Sequence, residues 1–129
     1  MELSAHEFTN TRDRPRLDRD SGRLVGTRCT ECGAVSWPGR AVCYRCGQAT
    51  MAISEFANRG RILSYTTVWV ARPGLAPPYT LGQIQLDDDG PLVFGHIREL
   101  GDGTRVPVPV RMVVADTDDA VPPFWFEPA

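Results

Sequence analysis

The segments Cys29-Thr30-Glu31-Cys32-Gly33 and Cys43-Tyr44-Arg45-Cys46-Gly47 contain all four cysteines of the chain. Both read Cys-x2-Cys-Gly, and ten residues separate them. Two cysteines at this spacing direct both sulfur atoms to one side of a tight turn, and the following glycine permits the positive φ that such a turn often needs. Two facing turns supply the four thiolate ligands of a tetrahedral structural zinc site. The sequence therefore predicts a zinc ribbon whose metal ligands are Cys29, Cys32, Cys43 and Cys46.

Three other uses of the four thiols stay open at this point. Disulfides persist in an oxidising compartment, whereas residues Met1–His6 do not resemble a secretory signal, so we expect a cytoplasmic protein. A redox-active pair is typical of a βαβ context, which the strand pattern of this chain does not provide. Iron of the rubredoxin type takes the same ligands in the same geometry. Because four thiolates leave no open coordination position, we expect a structural metal.

Length and composition limit the architecture. A chain of 129 residues forms one ordinary domain or two very small ones. The ribbon is too short to bury a core of its own, so we expect the metal to replace the core. The chain has no run of roughly eighteen apolar residues, so we expect no membrane-spanning helix.

Charge is unevenly distributed along the chain. All 14 basic residues are arginine, and the formal net charge is −2. Residues 1–62 hold ten arginines and seven acidic residues, whereas residues 63–129 hold four arginines and nine acidic residues. An acidic C-terminal half argues against a general nucleic-acid binder, because such proteins neutralise phosphates with a basic face.

Three segments follow from these patterns. Residues 1–24 are polar and arginine-rich, and we predict an N-terminal arm with short helices that a partner orders. Residues 25–50 form the rubredoxin-like four-cysteine ribbon. Residues 51–129 form a C-terminal β-barrel, described below.

Within the ribbon, the stretch between the cysteine pairs has its own pattern. Val35, Trp37 and Val42 surround Pro38-Gly39, and this predicts two short strands joined by a turn.

Five segments of the C-terminal part have the β-branched, aromatic and alternating pattern of strands. They are residues 62–71, 79–86, 92–97, 108–114 and 123–126. Turn signals such as Asp87-Asp88-Asp89-Gly90 separate them. Gly82 and Gly95 lie inside strands, where a small barrel bends sharply. The predicted core is Ile62, Val68, Ile84, Val93, Val110, Val113 and Phe124. The fold class is therefore mainly β, with a five-stranded oligonucleotide/oligosaccharide-binding (OB) barrel and a small SH3-like barrel as the alternative.

The order of elements, a four-cysteine ribbon directly before a five-stranded barrel, carries a resemblance to a known family. The motifs that carry it are Arg28 to Gly33, Trp37-Pro38-Gly39-Arg40, Cys43 to Gly47, Gly60-Arg-Ile-Leu-Ser64-Tyr65-Thr66, Pro78-Tyr79, Leu86-Asp87 with Gly90 and Gly95, and Pro123-Phe124-Trp125-Phe126. Over about residues 23–127 the chain resembles the zinc-ribbon plus OB-fold proteins associated with acyl-CoA enzymes, formerly a domain of unknown function. Gly39 departs from the second proline that relatives often have there.

This resemblance implies a non-catalytic accessory subunit. Such proteins are partners of thiolase-superfamily enzymes: thiolases, hydroxymethylglutaryl-CoA synthases, and the lipid-transfer-protein-like aldolases that shorten sterol side chains in steroid degradation. A MaoC-like hydratase is a further partner in some of them. The resemblance thus implies a hetero-oligomer of lipid metabolism that helps to bind or channel an acyl-CoA substrate.

The residues themselves agree with a non-catalytic subunit. Catalysis needs a nucleophile beside a base, or paired acids in a pocket. The four thiols are assigned to metal, and His6 and His96 stand far apart in the sequence without an evident triad.

Coenzyme A carries phosphates, which arginine holds by paired hydrogen bonds, and an adenine ring, on which aromatic side chains stack. We therefore predict acyl-CoA-binding residues on the arginine-rich side of the chain, with two tyrosines. They are Arg40, Arg45, Arg59, Arg61, Tyr65 and Tyr79.

The alternative is a nucleic-acid-binding OB-fold and zinc-ribbon module. OB barrels bind single strands by aromatic stacking along a positive groove. This barrel has the aromatic residues but an acidic composition, so we prefer the acyl-CoA interpretation and expect neither nucleic acid nor membrane as a partner.

Overall fold

The computed structural model describes residues 16–117 and 119–129. This part of the chain contains nine β-strands and no helix. The strands divide into two compact units, of which the first ends at Ala57 and the second spans Asn58–Ala129. Within the described residues, no helix is long and apolar enough to cross a membrane.

The first unit is an antiparallel sheet built around one strand. Its strands are β1 (Leu17–Asp18), β2 (Arg23–Cys29), β3 (Val35–Ser36) and β4 (Met51–Glu55). β2 pairs with β1, β3 and β4, and the β2–β4 ladder runs from Val25 opposite Glu55 to Cys29 opposite Met51. β2 thus carries Cys29 to the end of the sheet, where the metal ligands gather.

Close packing around β2 explains its glycine. Leu24, on β2, and Phe56, which directly follows β4, are both buried. A Cβ atom built on Gly26 would lie 2.1 Å from the Ser36 carbonyl oxygen and 2.9 Å from a ring carbon of Phe56. Gly26 therefore lets β3 and the Phe56 ring approach the backbone of β2.

The predicted short helices of the N-terminal arm are wrong for the part of the arm that the structure describes. Residues 17–24 form the β1–β2 hairpin instead, with Leu17 opposite Leu24. The turn is favoured because the carboxylate of Asp18 accepts a hydrogen bond of 3.0 Å from the amide of Asp20, and Gly22 takes a φ of +67°. Residues 1–15 lie outside the described residues.

The prediction of two strands between the cysteine pairs is half wrong. Val35–Ser36 is a strand, but its partner is β2, and residues 37–43 contain no strand. Pro38 lacks an N–H group for a ladder hydrogen bond, which ends the strand. The Trp37 indole donates a hydrogen bond of 2.9 Å to the Arg16 carbonyl.

The second unit is a closed five-stranded barrel. Its strands are β5 (Arg59–Val68), β6 (Tyr79–Leu86), β7 (Leu92–Ile97), β8 (Val108–Val114) and β9 (Phe124–Pro128). The order around the barrel is β5-β6-β7-β9-β8, and β8 closes it on β5. Only the β7–β9 contact is parallel among these pairings, with Ile97 opposite Phe126. The five predicted strands are confirmed, and this order is that of the OB barrel.

Two paired glycines make room inside the barrel. Gly82 on β6 lies opposite Gly95 on β7. A Cβ atom on Gly95 would lie 3.1 Å from the ring of Phe126, which is completely buried, and one on Gly82 would lie 2.5 Å from Ile97 Cδ1. The predicted glycine positions thus allow one large ring to fill a narrow interior.

The predicted core is confirmed for Ile62, Ile84, Val93 and Val110, all of which are buried. Val68, Val113 and Phe124 are only partly buried. The domain limits predicted after residues 24 and 50 stay predictions, whereas the two compact units divide between Ala57 and Asn58.

Candidate metal centre and ligand-binding residues

The first cysteine turn follows directly from the end of β2. The amide of Gly33 donates a hydrogen bond of 2.9 Å to the Cys29 carbonyl, and the amide of Cys29 donates one of 2.9 Å to the Ala34 carbonyl. Gly33 has a φ of +78°, as the sequence predicts. These bonds fold the segment back on itself, so that Cys29 and Cys32 present their sulfur atoms on the same side.

The second cysteine turn repeats this geometry. The amide of Gly47 donates a hydrogen bond of 3.0 Å to the Cys43 carbonyl, the amide of Cys43 donates one of 2.9 Å to the Gln48 carbonyl, and Gly47 has a φ of +76°. The amide of Arg45 also points at Cys43 Sγ at 3.4 Å. Both Cys-x2-Cys-Gly segments therefore form the same backbone turn.

The four sulfur atoms form one cluster. All lie within 4.8 Å of one another. Cys29 Sγ is 3.7 Å from Cys46 Sγ, and Cys32 Sγ is 3.5 Å from Cys43 Sγ. A tetrahedron with metal–sulfur bonds of about 2.3 Å has edges of about 3.8 Å, so the cluster fits a tetrahedral metal ion. The same distances are far longer than a disulfide bond of about 2.0 Å, and the four thiols are free.

The ionisation of the thiols shows why the cluster needs a cation. The Thr50 hydroxyl, 3.3 Å from Cys29 Sγ, and the Cys32 amide hold the pKa of Cys29 at about 6, below its usual 9.0. The Gln48 amide lowers the pKa of Cys46, but desolvation and the other three thiols outweigh it and raise that pKa to about 12. Four thiolates so close together repel one another, and a bound dication stabilises all four.

Arg45 belongs to the metal centre. Its guanidinium donates a hydrogen bond to the Cys32 carbonyl, which links the two cysteine turns. The pKa of the Cys32 thiol is lowered, first by the Ala34 amide and then by Arg45. Arg40, the other predicted acyl-CoA-binding residue of this unit, is exposed and lies 5.9 Å from the Tyr44 ring centroid.

The two predicted arginines of the barrel share one exposed face. Arg59 and Arg61 are two residues apart on β5, and both are exposed. Register places Arg59 directly opposite Arg111 of β8, which is also exposed. Arg111 forms an ion pair of 3.2 Å with Glu127, whereas Arg59 and Arg61 have no ion pair among the described residues. Like charges directly opposite each other destabilise a sheet, so this face favours an anion.

The two predicted tyrosines have different surroundings. The Tyr65 hydroxyl donates a hydrogen bond of 2.7 Å to the Thr104 carbonyl. The Tyr79 ring packs against the His96 ring, with centroids 5.5 Å apart. Both tyrosines are partly buried.

Sequence reasoning missed Thr50 and Arg111. Thr50 lies four residues after Cys46, and this spacing does not belong to the Cys-x2-Cys-Gly pattern. Arg111 joins Arg59 only through the register of β5 and β8. No signal in the sequence alone could have found either contact.

Comparison with known families matches both units. A family model described as the ChsH2 rubredoxin-like zinc ribbon domain covers residues 18–52, and one described as the ChsH2 C-terminal OB-fold domain covers residues 54–120. The chain belongs to the ChsH2 family. Membership confirms the resemblance stated from the sequence and, with the strand order, identifies the barrel as an OB fold.

Curated relatives of this ChsH2-family chain include a DUF35 domain-containing scaffold protein of Methanocaldococcus jannaschii. It is 29% identical over 106 residues, which are 76% of this chain and 74% of the relative. The benzoylsuccinyl-CoA thiolase subunit BbsA of Thauera aromatica is 25% identical over 99 residues, which are 62% of this chain and 69% of the relative.

Two solved structures share the fold of this ChsH2-family chain. One, described as an Ltp2-ChsH2(DUF35) aldolase, matches with a TM-score of 0.67 and 23% identity, over 89% of this chain and 98% of the other. A DUF35-family protein of unknown function from Sulfolobus solfataricus matches with a TM-score of 0.57 and 16% identity, over 85% and 78% of the two chains.

Proposed function

We propose that the protein is a non-catalytic accessory subunit, which docks on a thiolase-superfamily acyl-CoA enzyme in the cytoplasm. The observation that carries the proposal is membership of a family whose relatives are named as scaffold proteins and as a thiolase subunit. A thiolase, or a lipid-transfer-protein-like aldolase of sterol side-chain degradation, is the proposed partner, and a MaoC-like hydratase is a second one.

Exposed apolar side chains on the barrel support a protein partner. Trp69 and Val70, just after β5, are 72% and 70% exposed, and Phe94 on β7 is 61% exposed. Leu92 lies two residues before Phe94 on the same outer face and is also exposed. Large apolar groups held in water at this level are typical of surfaces that another protein covers.

The acyl-CoA part of the proposal rests on the arginine face of β5 and β8. Arg59 and Arg61 are exposed cations without an acidic partner in the described part of the chain, and Arg111 extends their face. Such a face suits the phosphates of coenzyme A. The full proposed set stays that of the sequence analysis: Arg40, Arg45, Arg59, Arg61, Tyr65 and Tyr79.

We further propose zinc as the ion of the four-cysteine site, with a purely structural role. The cluster supplies four sulfur donors, which zinc prefers in closed sites. Elemental analysis of the purified protein is expected to give one zinc per chain. One iron per chain, with the colour of a rubredoxin centre, would contradict this assignment.

Co-expression tests the docking proposal. The full chain is co-expressed with a thiolase-superfamily enzyme of the same organism and analysed by size exclusion and acyl-CoA turnover. We expect a stable complex that is active where the separate chains are not. Separate elution together with full activity of the enzyme alone would refute the proposal.

The acyl-CoA contribution has its own test in that complex. The double variant Arg59→Ala/Arg61→Ala is expected to weaken acyl-CoA binding by about tenfold or more, since hydrogen bonds to charged groups are lost. Arg105→Ala removes an exposed arginine from the β7–β8 loop and serves as the matched control. If the wild type, the double variant and Arg105→Ala bind acyl-CoA with equal affinity, the arginine face has no part in acyl-CoA binding, and the docking proposal is unaffected.

A further inference from the structure

A cleft of about 500 Å³ lies at one end of the barrel, at the β8–β9 loop. This volume is in the range of small-molecule sites. Part of its wall is apolar and comes from Val113, Val121 and Pro122, and another part is Arg98 with Trp125. None of these residues belongs to the metal centre or to the arginine face of β5 and β8.

The cation of this cleft is held in place by stacking. The guanidinium carbon of Arg98 lies 3.7 Å from the centroid of the Trp125 ring. The indole N–H donates a hydrogen bond of 2.8 Å to Glu127 Oε2, and Arg111 donates one of 3.2 Å to Glu127 Oε1. Glu127 is thus engaged by Trp125 and Arg111, and it fixes the plane of the ring on which Arg98 rests.

Arg98 keeps its hydrogen-bonding edge for a ligand. Stacking uses the flat face of a guanidinium, whereas its N–H groups lie along the edge. Among the described residues, no carboxylate forms an ion pair with Arg98. An exposed, preoriented guanidinium beside an apolar wall is the arrangement that holds one anionic group by paired hydrogen bonds.

The charges of the cleft limit the ligand further. Asp116 also lines it, and Asp119 follows in the same loop. The Asp116 carboxylate repels a polyanion, so a nucleic acid strand or a chain of several phosphates is disfavoured. A ligand with one anionic head and an uncharged apolar body meets the cation and the apolar wall without a second negative charge near Asp116.

We propose that this cleft binds an amphiphile with one anionic head, in which Arg98 holds a carboxylate or phosphate-monoester group and the wall around Val121 holds a short apolar body. Every residue in the argument comes from this chain, so the full chain alone is sufficient to test the site.

Calorimetric titration of the full chain tests the site with four probes. Octanoate and octyl phosphate carry both parts of the ligand, inorganic phosphate carries only the anion, and octanol carries only the apolar body. We expect both amphiphiles to bind at least about tenfold more tightly than phosphate or octanol, since each of these lacks one set of contacts. The tighter of the two amphiphiles identifies the head group.

Arg98→Ala is expected to weaken binding of the amphiphiles by about tenfold or more, whereas Arg105→Ala, which removes the same charge elsewhere on the barrel, leaves it unchanged. Val121→Asp provides a second variant, because Val121 is exposed and its replacement puts a negative charge on the apolar wall. It is expected to weaken binding similarly, with an unchanged circular dichroism spectrum. Equal affinity of Arg98→Ala and the wild type, or no binding of either amphiphile at millimolar concentration, would overturn the proposal.

Discussion

Replacing Gly60 with alanine is expected to destabilise the barrel strongly. Gly60 is buried in β5, opposite Leu86 of β6. An added Cβ would lie 2.3 Å from the Gln85 carbonyl oxygen, 3.0 Å from its carbonyl carbon and 3.0 Å from Leu86 Cα. All three are backbone atoms, so no side-chain rotation relieves the contact. The two strands must separate by about 0.7 Å to bring the oxygen from 2.3 Å to the 3.0 Å of the other contacts.

The size of this effect follows from the cost of overpacking. Forced shifts in a packed core cost about 1–3 kcal/mol. For a unit of the size of Asn58–Ala129, each kcal/mol lowers the melting temperature by roughly 4–8 °C, so we expect a decrease of about 4–24 °C. Gly60 is not in the left-handed region, so an alanine adopts the same φ without backbone strain. The expected loss therefore comes from the contact alone.

Thermal melting of the metal-loaded full chain, followed by circular dichroism, measures the loss. Gly101→Ala is the matched control, because its added Cβ would meet only Thr104 Oγ1, at an ordinary 3.7 Å. This control is expected to stay within about 0.5 kcal/mol of the wild type. A Gly60→Ala melting temperature within 2 °C of the wild type, or an equal loss in Gly101→Ala, would refute the steric reasoning. (The 2 °C limit is roughly half the smallest expected shift.)

Three further predictions concern the metal, a histidine and a tyrosine. Removing the metal with a chelator is expected to unfold the two cysteine turns and leave the barrel folded, because the metal-site cluster buries little besides the ligands, Ala34 and Met51. Amide resonances of these turns that survive chelation would contradict this. Burial, and then the charge of Arg98, lower the pKa of His96 in the folded protein below its unfolded value of about 6.5. The unfolded state therefore binds the proton more tightly, and the free energy of unfolding decreases as the pH falls below about 6.5. An NMR titration is expected to show a higher His96 pKa in Arg98→Ala, and an unshifted one would count against this charge effect. Tyr65→Phe removes the 2.7 Å hydrogen bond to the Thr104 carbonyl and is expected to lower the free energy of unfolding in urea by about 1 kcal/mol. An unchanged free energy of unfolding would show that this bond gives no net stabilisation.

The cluster of four cysteines was predictable because its information is local. Each Cys-x2-Cys-Gly segment closes its own turn through hydrogen bonds between residues at most five apart, such as that from the Cys29 amide to the Ala34 carbonyl. The strands were predictable for a similar reason, since alternation and turn residues act over a few positions. The role of Arg45 could not be predicted in this way, because its hydrogen bond to the Cys32 carbonyl joins two segments that only the folded ribbon brings together.

Register explains two of the three failures in the core, those of Val113 and Val68. Side chains alternate along a strand, so Val110 and Val113, an odd number of residues apart, cannot both face the interior of a regular β8. Val110 and Met112 are buried, and Val113 lies partly exposed. On β5, a register shift between Ile62 and Ser64 changes the alternation, so a count from Ile62 places later residues on the wrong face.

The N-terminal segment failed for another reason. Interleaved arginine and aspartate residues suit a solvated helix, but the same aspartates favour turns by binding nearby backbone amides. Asp18 does so in the β1–β2 hairpin, and Gly22 completes the turn. Composition describes the solvent exposure of such a segment and not its backbone.

Closure of the barrel restricts how another chain can associate with this protein. A sheet edge can be extended by a foreign strand, a mode known as β-augmentation. The β5-β6-β7-β9-β8 ring is closed, and its strands leave backbone unpaired over only part of their length, as in β7, which meets β9 at the single pair Ile97 and Phe126. In the first unit, by contrast, β4 pairs only with β2 among the described strands. Among the described strands, Met51–Glu55 is thus the longest one that is unpaired along the whole of one side, and we expect the addition of a foreign strand there.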